Sequence, residues 1–322
     1  MIQRRKVGVV GTGNVGVAAA YALFIQGIAS ELVLIDMNER RAEGEAMDLM
    51  HGQALVGSVY VRAGTYTDLE DAQLVVVSAG ASQKSPDESR LDLLNRNADV
   101  FQSIIGELDI HAPGAVVVIA TNPVDILTYV SQELSSRPSR QIIGTGTLLD
   151  TARFRALLGQ YYSVDPRSVH AYVLGEHGDS EVPIWSNANV GGLPILDNTV
   201  LDRPFDRSEM DHLFEQVRRA AYQIIERKGY TNTAIGVVIA RIVRAVLGDE
   251  KAVLPVSVRL NGEYGISNVC LSIPAVVSFR GVESFVLPDL SEKELEGMRA
   301  SARLLQKSLE QLSVRPDVDR TL

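Results

Sequence analysis

His177 follows the apolar run VHAYVL and lies in the segment VLGEHGDSEVPIW, with glycine after it and an acid close on either side. An imidazole gives and takes a proton near neutral pH, so a histidine leaving a strand is suited to general acid–base work. Support comes from LLDTARFRALL, a predicted helix start carrying Asp150, Arg153 and Arg155. A carboxylate such as Asp150 fixes an imidazole tautomer and stabilises its cation, and a guanidinium such as Arg153 grips a substrate carboxylate through two parallel hydrogen bonds. The bland alternative is a helix with an N-terminal acid and solvated arginines. His51, His111 and His212 have no comparable company.

A second constellation sits at the other end of the chain. Val7 to Val10 reads as a short strand, Gly11-Thr12-Gly13-Asn14-Val15-Gly16 opens a helix, and Asp36 ends the next strand. In that context the glycines form a dinucleotide fingerprint. Gly11 permits a tight turn, Gly13 lets backbone approach a pyrophosphate, and Gly16 lets helix and strand pack closely, with the anion at the helix N-terminus. Asp36 would accept from both ribose hydroxyls and repel a 2′-phosphate, which favours NAD over NADP. Ligands of open α/β sheets lie beyond the carboxyl ends of the strands, which adds Ala79, Gly80, Thr121 and Asn122 to the cofactor side. Asn122 has an equally simple role as a helix N-cap before Pro123.

These residues need a scaffold, and the sequence supplies one. Short β-branched runs (KVGVV, ELVLID, YVRAG, AQLVVVSAG, AVVVIATNP, RQIIGTG) recur through the first half, with helices expected at Val15–Gln26, Arg40–Met50, Arg90–Asp109 and Pro123–Ser135. That rhythm predicts a Rossmann-type, doubly wound parallel sheet over residues 1–145. Residues 146–322 read as an α+β substrate and catalytic domain. Helices are expected at Thr151–Gly159, Arg207–Lys228 and Asn232–Leu247, and the strands VLPVSVRLN, VCLSIPAVVSF and GVESFVL read as antiparallel around an Asn261-Gly262 turn. The last helix, Ser291–Leu312, opens with a Ser291/Glu294 capping box.

Composition narrows the partners. With 31 Lys and Arg against 40 Asp and Glu, the net charge of -9 argues against nucleic acid or an anionic membrane. The uncharged stretch Val7–Ser30 imitates a signal peptide or a span, but its glycines, Asn14 and Gln26 resolve better into strand, turn and helix. Cys270 is the single cysteine, so no internal disulfide forms, no metal site is expected, and a reducing cytoplasm fits.

The segments GTGNVG, LVLID, VVSAGA, ESRLDLLNRN, ATNPVDILTY, GTGTLLDTARFR, HAYVLGEHGDSEVPIWS and KGYTNTAIG together resemble the lactate and malate dehydrogenase superfamily over essentially the whole chain. EHGDSEVPIWS is similar to the lactate dehydrogenase version, in the Glu before the histidine and in Trp185. The resemblance implies that His177 donates and accepts the proton, Asp150 partners it, Arg153 clamps the substrate carboxylate and Arg90 polarises the reacting carbonyl. It further implies that Asn122 hydrogen-bonds near that carbonyl, that Thr231 lines the pocket, and that the polar segment between the apolar run ending near Ser78 and the helix starting at Arg90 is a mobile loop closing over a 2-keto or 2-hydroxy acid and bringing in Arg90. Homo-oligomers, most often tetramers, are implied too. Arg155 and His170 match positions where allosteric bacterial relatives bind fructose 1,6-bisphosphate between subunits. A rival class is a non-catalytic NAD-binding protein on the same fold, which would have lost His177, Asp150, Arg153 or Arg90; all four are present.

Substrate choice turns on counting. Pyruvate-reducing members commonly carry Gln at the loop's reading position, and malate dehydrogenases carry Arg. Counted forward from Ser78-Ala79-Gly80-Ala81 the position is Gln83, whereas counted back from Arg90 it is Lys84, because QKSPDESR is one residue longer than the usual pattern. An added residue is most easily absorbed at Ser85-Pro86-Asp87, which favours Gln83 and pyruvate. The alternative is a malate dehydrogenase on a lactate dehydrogenase-like background.

Overall fold

The computed structural model describes residues 5–81, 90–196 and 198–312. Gln83 and Lys84 lie outside the described residues, as does the side chain of Arg90. The first half alternates strand and helix: β1 (Lys6–Val10), α1 (Asn14–Ile25), β2 (Glu31–Ile35), α2 (Glu39–His51), α3 (Gln53–Val56), β3 (Tyr60–Ala63), β4 (Leu74–Val77), α4 (Arg90–His111), β5 (Val116–Ile119), α5 (Val124–Leu134) and β6 (Ile142–Gly144). The second half runs α6 (Leu148–Tyr162), β7 (Val169–Leu174), β8 (Val182–Val190), β9 (Leu193–Pro194), α7 (Arg207–Lys228), α8 (Thr233–Leu247), β10 (Ala252–Asn261), β11 (Ser267–Ser278), β12 (Gly281–Phe285) and α9 (Glu292–Glu310).

Among the described residues the larger sheet has nine strands in the order β12-β11-β10-β6-β5-β4-β1-β2-β3. From β6 to β3 every pairing is parallel. Strands β1, β2, β4 and β5 are buried along their whole length, which is why they read as unbroken aliphatic runs rather than alternating ones. The chain order reverses at β1, between β2 and β4, and the loops leaving β1 and β4 therefore diverge and open a crevice at the strands' carboxyl ends.

The antiparallel strands expected in the second half extend this same sheet. Their junction is one residue pair, Ser257 of β10 opposite Gly144 of β6. A Cβ on Gly144 would come 2.4 Å from Thr128 Oγ1 and 2.7 Å from Ser257 Cβ, so only glycine lets the two parts close. The apolar core is continuous across the junction, joining Val7, Leu32 and Val118 to Val256, Leu271 and Met298. A separate cluster around Phe154, Trp185 and Phe214 fills the space between α6, α7 and the small antiparallel sheet β7-β8-β9.

Three local expectations differ from the structure. Helix α6 begins at Leu148 rather than Thr151, because the Thr147 N–H is taken by Ser272 Oγ at 2.9 Å and its carbonyl receives the Thr151 N–H at 2.8 Å. Asp150 is thereby in the first helical turn, where backbone dipoles favour a negative charge. The connection after Asn261 is wider than a two-residue turn. Gly262, at φ 129°, leads into a 3₁₀ turn over Glu263–Gly265 before β11 starts. Strand β8, in the EVPIWSNANV stretch, was not expected at all, since Ser, Asn and Pro dilute its apolar alternation.

The capping box of α9 is present, and it does more than end a helix. Glu294 Oε2 accepts the Ser291 N–H at 2.8 Å and the Ser186 hydroxyl at 2.6 Å, while Oε1 accepts the N–H groups of Trp185 at 2.7 Å and Ser186 at 3.0 Å. Burial acts to raise this carboxyl, but the Ser186 and Ser291 hydrogen bonds prevail and hold it below the usual glutamate range. Its contribution is therefore present above the ordinary glutamate pKa and lost as pH falls through the depressed value. Replacing Glu294 by Ala strands up to four donors and should cost about 3 kcal/mol, read as a lower urea midpoint, with Glu294→Gln in between. A midpoint unmoved in the alanine variant would show that α9 is held by its apolar face alone.

Candidate active site

The carboxyl ends of the parallel strands are laced together before any ligand is considered. Ser78 and Ala79 donate their N–H groups to Val10 O at 2.9 and 3.0 Å, and Thr121 Oγ1 donates to Ala79 O at 2.7 Å. Gly11, at φ 94°, passes so close to Ala79 that a Cβ would stand 2.5 Å from its nitrogen, and a Cβ on Gly16 would stand 1.8 Å from Gly11 O. Gly13 differs, for a Cβ there would meet no atom of the described residues within 4 Å. Packing against the described residues therefore does not require glycine at this position, and the space beside it is open. Among the described residues helix α1 has no side-chain N-cap bond, and its first turn carries no acid, so its N-terminal dipole is suited to an anion. Asn14 is exposed and Val15 half-buried at this end.

Asp36 lies beside this cradle. Its Oδ2 accepts the Thr12 N–H at 2.7 Å and the Thr12 hydroxyl at 2.9 Å, and its Oδ1 accepts the Asn38 N–H at 2.9 Å. Burial pushes the carboxyl up, but the bonds from Asn38 and Thr12 outweigh it and keep the pKa below the usual aspartate value. An ionised acceptor beside an anion-binding helix start fits an adenosine ribose carrying free hydroxyls. The cradle as a whole fits NAD. Gly80 is also sterically forced: a Cβ would lie 2.6 Å from Thr121 Cγ2 and 3.0 Å from Asn97 Oδ1. Asn97, a buried residue of α4 that the sequence reading passed over, accepts the Ala81 N–H at 2.8 Å.

At the chemistry end, β7 delivers His177 to the start of α6. His177 Nδ1 lies 2.6 Å from Asp150 Oδ2, and Arg153 Nη1 lies 2.8 Å from Asp150 Oδ1, so one carboxylate serves the imidazole and the guanidinium at once. The Asp150 side chain is 4 % exposed and that of His177 24 %. Burial alone would raise Asp150, yet His177 and Arg153 hold its pKa below the ordinary range. For His177, burial pulls the pKa down, but Asp150 overrides it, helped by Asp125 and Glu181, and the ring rises to about 9. Glu181, buried with no partner for Oε1 among the described residues, is pushed up to about 8 by burial and by Asp150. The pairing thus favours an imidazolium at His177 beside an ionised Asp150 carboxylate.

The main chain beside the histidine is held as firmly as the ring. Gly175 exchanges hydrogen bonds with Ser272 at 3.0 and 2.9 Å, the Glu176 N–H donates to Ser301 Oγ at 2.8 Å, and the His177 N–H donates to Asp125 Oδ2 at 2.7 Å. Ser272, Ser301 and Asp125 belong to β11, α9 and α5. None was singled out from sequence, although an acid inside the apolar run VDILTYV was a visible anomaly.

The remaining sequence candidates are placed less fully. Asn122 is exposed between β5 and α5; Pro123, not Asn122, occupies the N-cap of α5, and no side-chain cap bond is made there. The helix-cap alternative for Asn122 is thereby corrected. Thr231 precedes α8, whose Gly236 comes so near α1 that a Cβ would lie 2.6 Å from Ala18 O. Arg90 begins α4. Arg155 on α6 donates through Nη2 to Pro166 O at 3.4 Å and Arg167 O at 3.5 Å, and His170 is exposed on β7.

Residues 5–144 match the family described as lactate/malate dehydrogenase, NAD binding domain, and residues 147–314 the lactate/malate dehydrogenase, alpha/beta C-terminal domain. An L-lactate dehydrogenase of Salinibacter ruber is 65% identical over 314 residues, 98% of this chain and 99% of that protein. One from Thermus aquaticus is 49% identical over 306 residues, 94% of this chain and 97% of that protein. Among solved structures, the minor L-lactate dehydrogenase from Enterococcus mundtii in a ligands-bound form superposes with a TM-score of 0.93 at 44% identity, covering 97% of this chain and 99% of that one. A lactate dehydrogenase from a Medee basin deep-sea metagenome library gives a TM-score of 0.94 at 43% identity, covering 97% and 100%.

The raised His177 pKa has a sign that fixes its consequences. The interaction stabilises the fold fully below the ordinary histidine pKa of about 6.5, and that stability is lost as pH rises through about 9. With ¹³C-labelled histidine, the His177 ring should titrate near 9 in NMR spectra of the ligand-free protein, and Asp150→Asn should move it clearly lower. A parent ring titrating in the ordinary range would mean that desolvation outweighs the carboxylate.

Proposed function

The chain belongs to the lactate/malate dehydrogenase family, and from that premise we propose an NAD-dependent L-lactate dehydrogenase that reduces pyruvate to L-lactate and runs the reverse reaction. The observation that carries this reading is the buried Asp150 carboxylate shared by His177 and Arg153. A histidine so paired is protonated at neutral pH and can release its proton to an oxygen that gains negative charge. Arg153 spends one N–H on Asp150, and its other guanidinium donors are left to grip the substrate's carboxylate.

NADH, when bound, supplies the hydride that reaches the carbonyl carbon. Gly11, Gly13, Asn14, Val15 and Gly16 take the pyrophosphate, Asp36 the ribose hydroxyls, and Ala79, Gly80, Thr121 and Asn122 the nicotinamide side. His177 donates its proton to the substrate oxygen, Asp150 steadies the imidazolium before transfer, and Arg90 stabilises charge on that oxygen. In lactate oxidation a neutral His177 accepts the hydroxyl proton. Asn122 and Thr231 complete the pocket, and Gln83 reads the methyl end of pyruvate. The relatives named above are L-lactate dehydrogenases, so malate dehydrogenase activity, with Lys84 in the reading position, is not favoured.

We assign residues 1–145 to cofactor binding and 146–322 to substrate binding and catalysis. We further propose a cytoplasmic homo-oligomer, a tetramer. Its buried, unbridged Cys270 fits a reducing compartment, and among the described residues no helix is long and apolar enough to cross a membrane. Exposed Tyr21, Ile25, Met47 and Val237, on α1, α2 and α8, supply apolar surface for a neighbouring subunit. Arg155 and His170 are the groups offered to fructose 1,6-bisphosphate.

Following NADH absorbance with pyruvate and with oxaloacetate tests the main reading. Pyruvate should be preferred, His177→Ala should remove turnover while NADH still binds, and Gln83→Arg should swing preference toward oxaloacetate. Preference for oxaloacetate that Lys84→Ala destroys and Gln83→Arg leaves alone would reverse the register and the substrate. Adding fructose 1,6-bisphosphate at subsaturating pyruvate should raise the rate in the parent and not in Arg155→Ala; a flat parent response removes the allosteric assignment.

A further inference from the structure

Asp125 is a deeply buried carboxylate near the site that the mechanism above leaves unused. It lies in the first turn of α5, three residues past Asn122, and is 2 % exposed. Both carboxylate oxygens are committed: Oδ2 accepts the main-chain N–H of His177 at 2.7 Å and Oδ1 accepts the Ser257 hydroxyl at 2.5 Å. Burial pushes its pKa up, but Ser257 and His177 counter this and leave it at about 6, so the group is ionised at neutral pH. A buried carboxylate tied to a main-chain amide is a costly way to hold a loop unless that amide's position matters.

The geometry explains why it would. Asp150 fixes the direction of the imidazole through Nδ1, but a ring pinned at one nitrogen still swings with its own Cα. Asp125 removes that freedom by holding the nitrogen attached to the Cα. Ser257, in turn, sits at the single residue pair that joins the parallel and antiparallel parts of the sheet. The helix that follows Asn122 on the cofactor side, the sheet junction and the catalytic main chain therefore meet at one carboxylate.

We propose that Asp125 is a positioning residue for proton transfer, fixing the His177 main chain, with Ser257 as its buttress, while Asp150 fixes the ring. The inference rests on His177 being the proton donor. It separates two roles that a sequence reading assigns to Asp150 alone. Asn at 125 keeps an oxygen to accept the His177 N–H and an amide to donate to Ser257 Oγ, so position rather than charge is the property to be conserved.

The test measures, in the full-length enzyme, NADH affinity by fluorescence, KM for pyruvate, and the single-turnover rate of NADH oxidation at saturating pyruvate. Asp125→Ala should bind NADH as the parent does and keep a similar KM, while the single-turnover rate falls about 10- to 100-fold, the scale expected of a displacement near 1 Å. Asp125→Asn should recover most of that loss, and Ser257→Ala should show a smaller fall in the same step. An alanine variant that binds NADH and turns over within two-fold of the parent overturns the proposal, as does an asparagine variant no better than alanine. Should Asp125→Ala fail to bind NADH, Ser257→Ala decides: a slowed single turnover upholds the role and an unchanged one ends it. A parent that oxidises no NADH with pyruvate refutes the function above, which is a different result from an active parent indifferent to position 125.

Discussion

One buried charge organises the chemistry of this molecule. The carboxylate of Asp150 is nearly inaccessible to water, and an isolated anion there would simply take up a proton. It stays ionised because His177 and Arg153 each bring a donor to a different oxygen. The consequence runs in both directions, since the carboxylate lifts the imidazole to about 9 and fixes which ring nitrogen faces outward. Asp150 sits in the first turn of α6, and α6 starts where it does because Ser272 of β11 takes the Thr147 amide. The ionisation of His177 is thus anchored in the antiparallel strands.

Those strands matter because they are not a separate layer. They continue the cofactor sheet through Ser257 and Gly144, and the core continues with them. A sheet shared in this way sets the glycine cradle after β1 and the histidine after β7 in one frame. The chemistry proposed for the site needs that fixity, because a cofactor held at the cradle and the histidine would have to address one carbonyl. Glu294, Asp125 and Ser301 act in the same sense, each a side chain satisfying main-chain donors of a strand or loop distant in sequence.

Much of this was legible from residue order because it is local. GTGNVG followed by Asp36 encodes turn, helix start and acid within one unit, and LLDTARFR places acid and arginine one helical turn apart. The boundaries of α7 match the expected ones, and the capping box of α9 was visible in Ser291 and Glu294. What escaped was non-local. Asp125 reaches a residue 52 positions away and Ser257 one 132 positions away, and no spacing rule links them. Strand β8 escaped because its polar residues bond across to Glu294 and Asp289 instead of alternating simply. Asn122 read equally well as a cap, and only the structure shows that Pro123 takes the N-cap position instead.

The threefold tether of Gly175, Glu176 and His177 has a consequence for how such a protein diversifies. Each amide answers to a different element, so the loss of any one tether leaves the other two in place. Heritable change is thereby channelled away from the turn that carries His177. Tolerated variation is left to residues outside that turn.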